Sequence, residues 1–169
     1  WRLLGKRSYL TYVPVGVVGI ISPWNYPFGI PVPQIAAALA AGNTVVMKPS
    51  SSGVLIAEEI HAVFRDAGLP PDAIELVQGR GRIGEALVEG GVDHLIFTGS
   101  VEVGRHVNRL AAERFIPTTM ELGGKDPMIV LADADLDTAS SGAVWGAFSN
   151  AGQTCASVER AYVHEDVYE

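Results

Sequence analysis

Short apolar segments alternate along this chain with longer segments in which apolar residues recur every three or four positions. The short segments are rich in β-branched residues and are bounded by glycine or proline, a pattern that predicts β-strands. The predicted strands cover residues 8–14, 16–22, 44–48, 74–77, 94–97, 118–122 and 127–131. The longer segments have the helical period, and most of them stop at glycine or proline. The predicted helices cover residues 31–41, 54–67, 83–88, 101–114 and about 136–148.

This alternation of strands and helices indicates a doubly wound α/β fold, in which helices cover both faces of a mostly parallel sheet. A chain of 169 residues is long enough for one domain with a substantial core. Doubly wound sheets bind ligands at the carboxyl ends of their strands. Four polar sites lie at or just after the ends of predicted strands: Asn25, Lys48, the turn of residues 98–100 and Glu121. We therefore expect them to share one edge of the sheet.

Charge and composition exclude several classes of partner. The net charge is −7 and no run of Lys or Arg is present, which argues against nucleic acid or an anionic membrane as the main partner. The longest apolar stretch, residues 30–41, contains two prolines and is too short to span a bilayer. The single cysteine cannot form an internal disulfide, and no signal peptide is visible, so we expect a cytoplasmic protein.

The only cysteine, Cys155, is surrounded by small residues that leave room for a substrate carbon to approach its sulfur. The thiolate form of such a thiol is a strong nucleophile. A buried cysteine that acts only as a small apolar side chain is the alternative. The segment of residues 148–156 does not by itself decide between them.

Two glycine-containing turns are candidate phosphate sites. Residues 97–104 run from a strand through a glycine turn into a helix, whose first N–H groups and dipole suit a phosphate. The alternative is an ordinary turn in which Ser100 caps the helix. Residues 79–84 fit the pattern GxGxxG, but that dinucleotide fingerprint normally follows the first strand, so we interpret them chiefly as a tight turn.

Two charged residues at strand ends are candidates for chemistry. An ammonium group at Lys48 is suited to hydrogen-bond ribose hydroxyls or a phosphate; a surface lysine with a partly buried stem is the alternative. Glu121 lies between Met120 and Leu122, and burial there would raise the pKa of its carboxyl toward neutrality, as suits a general base. A salt bridge between Glu121 and Lys125 is the alternative.

Five motifs together resemble, in order, the signature motifs of the NAD(P)-dependent aldehyde dehydrogenase superfamily. They are SPWNYP at 22–27, MKPS at 47–50, FTGS at 97–100, ELGGK at 121–125 and GQTC at 152–155. The resemblance implies the Rossmann-like sheet of that family, incomplete at both ends. Residues 1–121 would belong to the cofactor-binding part, and residues 122–169 would begin the catalytic domain.

The resemblance also implies roles for individual residues. Cys155 would attack the aldehyde carbon, the Asn25 amide would hold the oxyanion, and Glu121 would activate the water that hydrolyses the thioester. Tyr26 and Thr154 would contact the substrate. NAD or NADP would be bound by Ile21, Ser22, Pro23, Trp24, Lys48, Ser50, Ser51, Gly81, Phe97, Thr98, Gly99, Ser100, Gly104, Leu122 and Gly123. The expected partner is a small aldehyde, and the whole protein is expected to be a homo-oligomer.

Two departures from the family pattern change these expectations. Ser51 replaces a frequent glutamate that repels the 2′-phosphate of NADP, so we expect weaker discrimination against NADP. The later Glu-x-Phe-Gly-Pro motif of the family is absent from the 169 residues, so we expect this chain alone to have little or no dehydrogenase activity.

Three alternative functions differ from an acid-releasing aldehyde dehydrogenase. In a CoA-acylating relative thiolysis replaces hydrolysis, but such an enzyme has no need of Glu121. A nucleotide-binding module without catalysis would not require Cys155, Glu121 and Asn25 together. A serine or metal-dependent hydrolase is disfavoured because the chain has no GxSxG and its four histidines lack metal-ligand spacing.

Overall fold

The computed structural model describes residue 5 and residues 7–169. This part of the chain contains seven strands and five α-helices. In chain order they are β1 Val17–Ile21, α1 Pro31–Ala40, β2 Thr44–Lys48, α2 Val54–Asp66, β3 Ile74–Leu76, α3 Gly81–Glu89, β4 His94–Gly99, α4 Val101–Ala112, β5 Thr118–Leu122, β6 Asp126–Val130, α5 Leu136–Phe148 and β7 Val158–Val163.

The first five strands form one parallel sheet in the order β3-β2-β1-β4-β5. From β1 the chain first adds strands on one side and then crosses to the other, so the winding direction reverses between β1 and β4. A doubly wound sheet opens a crevice at this point, beyond the carboxyl ends of the two strands. The predicted fold class is confirmed.

Two hydrophobic clusters hold the helices against opposite faces of this sheet. Ile20 belongs to the cluster that includes Ile35 of α1 and Ile60 of α2. Ile21, the next residue, belongs to the cluster that includes Val88 of α3 and Val107 of α4. Successive side chains of a strand point to opposite faces, so one apolar strand anchors both layers. The sheet edge at the end of β1 is therefore held from both sides.

A second, two-stranded parallel sheet is formed by β6 and β7, which α5 connects. Gly146 of α5 lies directly against Val158 of β7. None of the α5 residues is buried, and Trp145 and Phe148 are 76% and 71% exposed. The first sheet ends at Leu122 and the second begins at Asp126; the division predicted at residues 121 and 122 remains a prediction.

The predicted strand at residues 8–14 is wrong. These residues have no strand structure, and Tyr9 and Tyr12 are 81% and 88% exposed. Their β-branched and aromatic residues fit a strand, but a strand also requires a hydrogen-bonded neighbour. None of the strands within residues 7–169 pairs with this segment. The other predicted elements are present, with ends shifted by a few residues.

No helix in the described part of the chain is both long and apolar enough to span a membrane.

Candidate active site

A crevice of about 450 Å³ lies beyond the carboxyl ends of β1, β2, β4 and β5. Residues 153–155, which lie between the turn after α5 and β7, line its other side. Its lining residues are Ile21, Ser22, Pro23, Trp24, Asn25, Ile30, Lys48, Ser50, Phe97, Thr98, Gly99, Ser100, Val103, Glu121, Leu122, Gly123, Gln153, Thr154 and Cys155. The expected clustering of polar strand ends at one sheet edge is therefore confirmed.

Asn25, Glu121 and Cys155 all line this crevice, although they are far apart in sequence. Cys155 is a free and exposed thiol, which removes the alternative of a buried, inert cysteine. These three residues thus border one common space. That is the arrangement needed for nucleophilic attack with a nearby hydrogen-bond donor and base.

The expected burial of Glu121 is wrong, because its side chain is exposed. Residues alternate between the two faces of β5, so Met120 and Leu122 pack on one face while Glu121 points to the other. A salt bridge with Lys125 is not formed either, because the Lys125 ammonium contacts Glu159 at 2.7 Å. Glu121 is therefore a water-accessible carboxylate on the crevice wall.

Hydrogen bonds join the loop after β1 to the loop that carries Cys155. The Asn25 Nδ2 group donates to the main-chain oxygen of Gln153 at 2.8 Å. The Tyr26 hydroxyl and the Thr154 hydroxyl are 2.8 Å apart. The Asn150 Nδ2 group donates to the main-chain oxygen of Asn25 at 3.0 Å. These contacts hold the two sides of the crevice together near the sulfur.

The turn before Cys155 has an unusual backbone. Asn150 has φ 51° and ψ 37°, Ala151 has φ 57° and ψ 32°, and Gly152 has φ 75°. The Gln153 N–H donates to the Asn150 carbonyl at 3.1 Å. With positive φ at both central residues this is a type I′ turn, which favours glycine and asparagine. Alanine has neither the missing Cβ of glycine nor the hydrogen-bonding side chain of asparagine, so the backbone is strained at Ala151.

Lys48 is buried at the crevice wall, with only 7% of its surface exposed, which contradicts the alternative of a surface lysine. Its Nζ group donates to the Pro49 carbonyl at 3.0 Å. No carboxylate of the described residues forms an ion pair with it. Burial lowers the pKa of the Lys48 ammonium because the desolvated cation is less stable than in water. The site would therefore gain from a ligand that supplies acceptor oxygens.

Other polar groups in the crevice also lack partners. Within the described residues, the Ser22 and Ser50 hydroxyl oxygens are buried without any hydrogen bond. Buried polar groups are normally hydrogen-bonded. Two hydroxyls without partners, in the same crevice as the buried Lys48 ammonium, therefore indicate a place for a polar ligand. The nucleotide part of NAD or NADP, with its ribose hydroxyls and phosphates, fits this set of groups.

The start of α4 adds a site suited to phosphate. The Ser100 hydroxyl accepts from the Val103 N–H at 3.3 Å, so Ser100 caps the helix as the alternative interpretation expected. A capped helix start still leaves N–H groups of its first turn available to an anion. Helix α4 lies close against the sheet because Gly104 faces Phe97 and Leu122, where a Cβ atom would lie 2.5 Å from a Leu122 methyl.

A second cavity of about 320 Å³ adjoins the first between α3 and α4. The two share Ile21, Lys48, Phe97 and Val103 as lining residues. Gly81, predicted near the adenine, lines this second cavity and not the first. Its lining includes Glu85 and His106, and the His106 Nε2 atom lies 2.8 Å from a Glu85 carboxylate oxygen, within hydrogen-bond distance. Together the cavities form an elongated groove along the sheet edge.

Three other predicted residues do not line the main crevice. Ser51 is exposed in the turn after β2, Gly104 packs behind the wall, and Tyr26 reaches Thr154 from the side. Conversely, Ile30, Val103 and Gln153 line the crevice without having been singled out from the sequence. Gln153 contributes its main-chain oxygen to the contact with Asn25, which its residue type does not reveal.

The sequence model of the aldehyde dehydrogenase family matches residues 3–169. The chain belongs to this family. The resemblance carried by the five motifs is thereby confirmed, and aldehyde dehydrogenases of this family use Rossmann-like sheets of the kind described above.

Individual relatives of this aldehyde dehydrogenase chain cover nearly all of it. A phenylacetaldehyde dehydrogenase from Pseudomonas fluorescens is 47% identical over 166 residues, 97% of this chain and 33% of that protein. A D-glyceraldehyde dehydrogenase (NADP(+)) from Picrophilus torridus is 41% identical over 167 residues, 97% of this chain and 34% of that protein.

The NAD+ complex structure of an aldehyde dehydrogenase from Bacillus cereus superposes with a TM-score of 0.90 at 41% identity, covering 94% of this chain and 33% of that one. The chain spans about a third of the length of the curated relatives it matches.

Proposed function

We propose that the protein containing this chain oxidises an aldehyde to a carboxylic acid with NAD or NADP. The observation that carries the proposal is the meeting of Cys155, Asn25 and Glu121 on one crevice, beside a buried cation and two unpaired hydroxyls. Family membership supports the same reaction class. A purely structural module would not need a free thiol, an amide and a carboxylate at one sheet edge.

The first step would be attack of the Cys155 thiolate on the aldehyde carbon. A carbon–sulfur bond forms, and the carbonyl oxygen takes the electron pair to become an oxyanion. One hydrogen of the Asn25 amide is engaged by the Gln153 carbonyl, which leaves the other to donate to the oxyanion. The Cys155 main-chain N–H would be the second donor.

The nicotinamide ring of the bound cofactor would supply the acceptor for the hydride that leaves this carbon, so that a thioester to Cys155 remains. Glu121 would then remove a proton from water as the water attacks the thioester carbon. The carbon–sulfur bond breaks, the carboxylic acid leaves, and the thiol is restored. Exposure of Glu121 to solvent gives its carboxylate direct access to that water.

The groups proposed to hold the cofactor divide along the groove. Lys48, Ser22 and Ser50 would donate to its oxygens, and the start of α4 with Ser100 would face the phosphates. Ser51 has no carboxylate to repel a 2′-phosphate, so we propose that NADP is accepted alongside NAD. Full-length protein that reduces NAD at a normal rate and leaves NADP untouched would contradict this point.

Tyr26 and Thr154 would form one wall of the substrate site, since their hydroxyls are hydrogen-bonded to each other and Thr154 directly precedes Cys155. The remaining walls would come from parts of the protein outside this chain. We also propose that the 169 residues alone have little activity, and that the whole protein is a cytoplasmic homo-oligomer. Sedimentation of the full-length protein tests the oligomeric state, and assay of the purified segment tests its activity.

The decisive experiment is a panel of aldehydes assayed with NAD and with NADP on the full-length protein and on its Cys155→Ala variant. We expect reduced cofactor and carboxylic acid in equal amounts from the wild type and neither from the variant. Adding CoA separates the alternative reaction, because acyl-CoA in place of free acid would identify thiolysis. Undiminished oxidation by Cys155→Ala would overturn the proposal.

A further inference from the structure

The side chain of Asn150 makes contacts that its turn does not require. Its Nδ2 group donates to the main-chain oxygen of Asn25 at 3.0 Å and lies 3.4 Å from the main-chain oxygen of Gln153. The first contact spans 125 positions of sequence. One amide therefore bridges the loop after β1 and the loop that carries Cys155.

The backbone of the turn does not explain this asparagine. Asparagine tolerates the left-handed conformation better than most residues, and Asn150 adopts it. However, Ala151 adopts nearly the same angles without any polar side chain. The turn thus forms with a residue that has no special tolerance for it, and the distinguishing property of Asn150 is its bridging amide.

The bridge acts on the residue proposed to stabilise the oxyanion. The Gln153 oxygen accepts from Asn25 Nδ2 as well as facing Asn150 Nδ2, and the Asn25 main chain accepts from Asn150. Asn25 is therefore held at its backbone by Asn150 and at its side chain by Gln153. Both anchors lie within five residues of Cys155 in sequence.

We propose that Asn150 is a positioning residue that fixes the Asn25 amide relative to the Cys155 sulfur. The inference rests on the proposed function, because it concerns the geometry of that oxyanion site. Catalysis is sensitive to such geometry, since a displacement of about 1 Å costs about 100-fold in rate, and loss of an oxyanion donor costs about 100- to 1000-fold.

The test compares two reactions of Cys155 in the full-length protein that need no cofactor. Acylation by 4-nitrophenyl acetate passes through an oxyanion: the thiolate bonds to the ester carbon, and 4-nitrophenolate leaves. Alkylation by iodoacetamide displaces iodide at a saturated carbon and forms no oxyanion. The ratio of the two rate constants, measured across pH, reports oxyanion stabilisation separately from thiolate exposure.

The variants isolate the amide from the turn. Asn150→Gly removes the bridge and retains a residue suited to positive φ, and Asn150→Asp retains the shape but replaces the donor with an acceptor facing two carbonyl oxygens. Asn108→Ala is the control, because Asn108 accepts from the Thr118 hydroxyl at 2.7 Å, outside the crevice. Asn25→Ala removes the donor itself.

We expect Asn150→Gly and Asn150→Asp to lower the acylation-to-alkylation ratio by about 10- to 100-fold, with alkylation within about twofold of wild type. Aldehyde oxidation should show the same loss in kcat, while KM for the cofactor is little changed. In the Asn25→Ala background Asn150→Gly should have no further effect on the ratio, because it acts through Asn25. Asn108→Ala should behave as wild type.

A ratio for Asn150→Gly within about twofold of wild type would overturn the inference, as would additive losses in the double variant. So would a fall in alkylation and in thermal midpoint parallel to the fall in acylation, since this indicates a general structural role. Failure of the proposed function is separate: wild-type protein would then show no NAD(P)-dependent oxidation, whatever the ratio of the two thiol reactions.

Discussion

Replacement of Lys48 by methionine should weaken cofactor binding without destabilising the free protein. The lysine is buried, donates to a single carbonyl, and has a pKa lowered by desolvation. Methionine keeps much of the apolar stem and removes the desolvated charge, so the free protein loses the penalty of burying that charge. With cofactor bound, the same charge would be satisfied by acceptor oxygens. Removing it should therefore stabilise the free protein or leave it unchanged, and destabilise the cofactor complex.

The magnitude follows from the lost hydrogen bond. A hydrogen bond to a charged group contributes about 1.5–3 kcal/mol, which corresponds to an increase of about 10- to 150-fold in the Kd of NAD. Trp24 provides the assay, since its indole lines the crevice and is 53% exposed, so NAD titration should change its fluorescence. The midpoint of thermal unfolding, at fixed protein concentration, measures the free protein.

Lys125→Met is the matched control. Its ammonium pairs with Glu159 at 2.7 Å on the second sheet, outside the crevice, so NAD affinity should stay at the wild-type value. A Kd for Lys48→Met within about threefold of wild type would refute the reasoning, because it would mean that the lysine makes no net contribution to binding. A substantially lower unfolding midpoint without ligand would refute it as well.

Three further predictions concern pH, catalysis and strain. Desolvation lowers the pKa of Lys48 in the folded protein below its pKa in the unfolded chain, so below the folded-state pKa the buried charge destabilises the fold fully. As pH rises from the folded-state pKa to the unfolded-state pKa, this destabilisation is lost. The free energy of unfolding of the wild type, relative to that of Lys48→Met, should therefore increase over that range in unfolding titrations at alkaline pH. Glu121→Gln should accumulate the thioester, with an initial burst of reduced cofactor followed by slow turnover in stopped-flow assays; steady turnover at the wild-type rate would exclude Glu121 as the base. Ala151→Gly should raise the free energy of unfolding in urea by about 0.5–1 kcal/mol, because relief of about 1–2 kcal/mol of left-handed strain exceeds the entropy cost of glycine. The control is Ala147→Gly in α5, where no such strain exists and glycine should lower the free energy of unfolding by a similar amount. A destabilised Ala151→Gly protein would show that the turn is not strained.

Most elements of the fold were predictable because their signals are local. Strands β2 and β5 have the predicted bounds, since each is a short segment with β-branched residues that is closed by proline or glycine. The segment of residues 8–14 is also rich in β-branched and aromatic residues and closed by proline, yet forms no strand. Strand formation depends on a partner elsewhere in the chain, and a pattern within seven residues does not contain that information.

The sequence predicted those features of the site that depend on side-chain type, but not those that depend on packing or on main-chain atoms. Asn25, Lys48 and Glu121 meet at the crevice because they follow or end neighbouring parallel strands, whereas the place of Cys155 beside them was implied only by the resemblance. The exposure of Glu121 was missed because burial depends on what packs on its face of β5, and flanking apolar residues face the other way. The link between Gln153 and Asn25 was missed because it uses a main-chain oxygen, which every residue type possesses.

Helix α5 leads directly into the strained turn and then to the nucleophile, yet none of its residues is buried within the described part of the chain. Its Gly146 packs against Val158 of β7, while its large apolar side chains remain exposed. A surface that covered Trp145 and Phe148 would therefore act on the position of the reactive sulfur through this helix and its turn. Substitutions in such a surface, although remote from the reaction, would then change the rate by shifting the Cys155 sulfur.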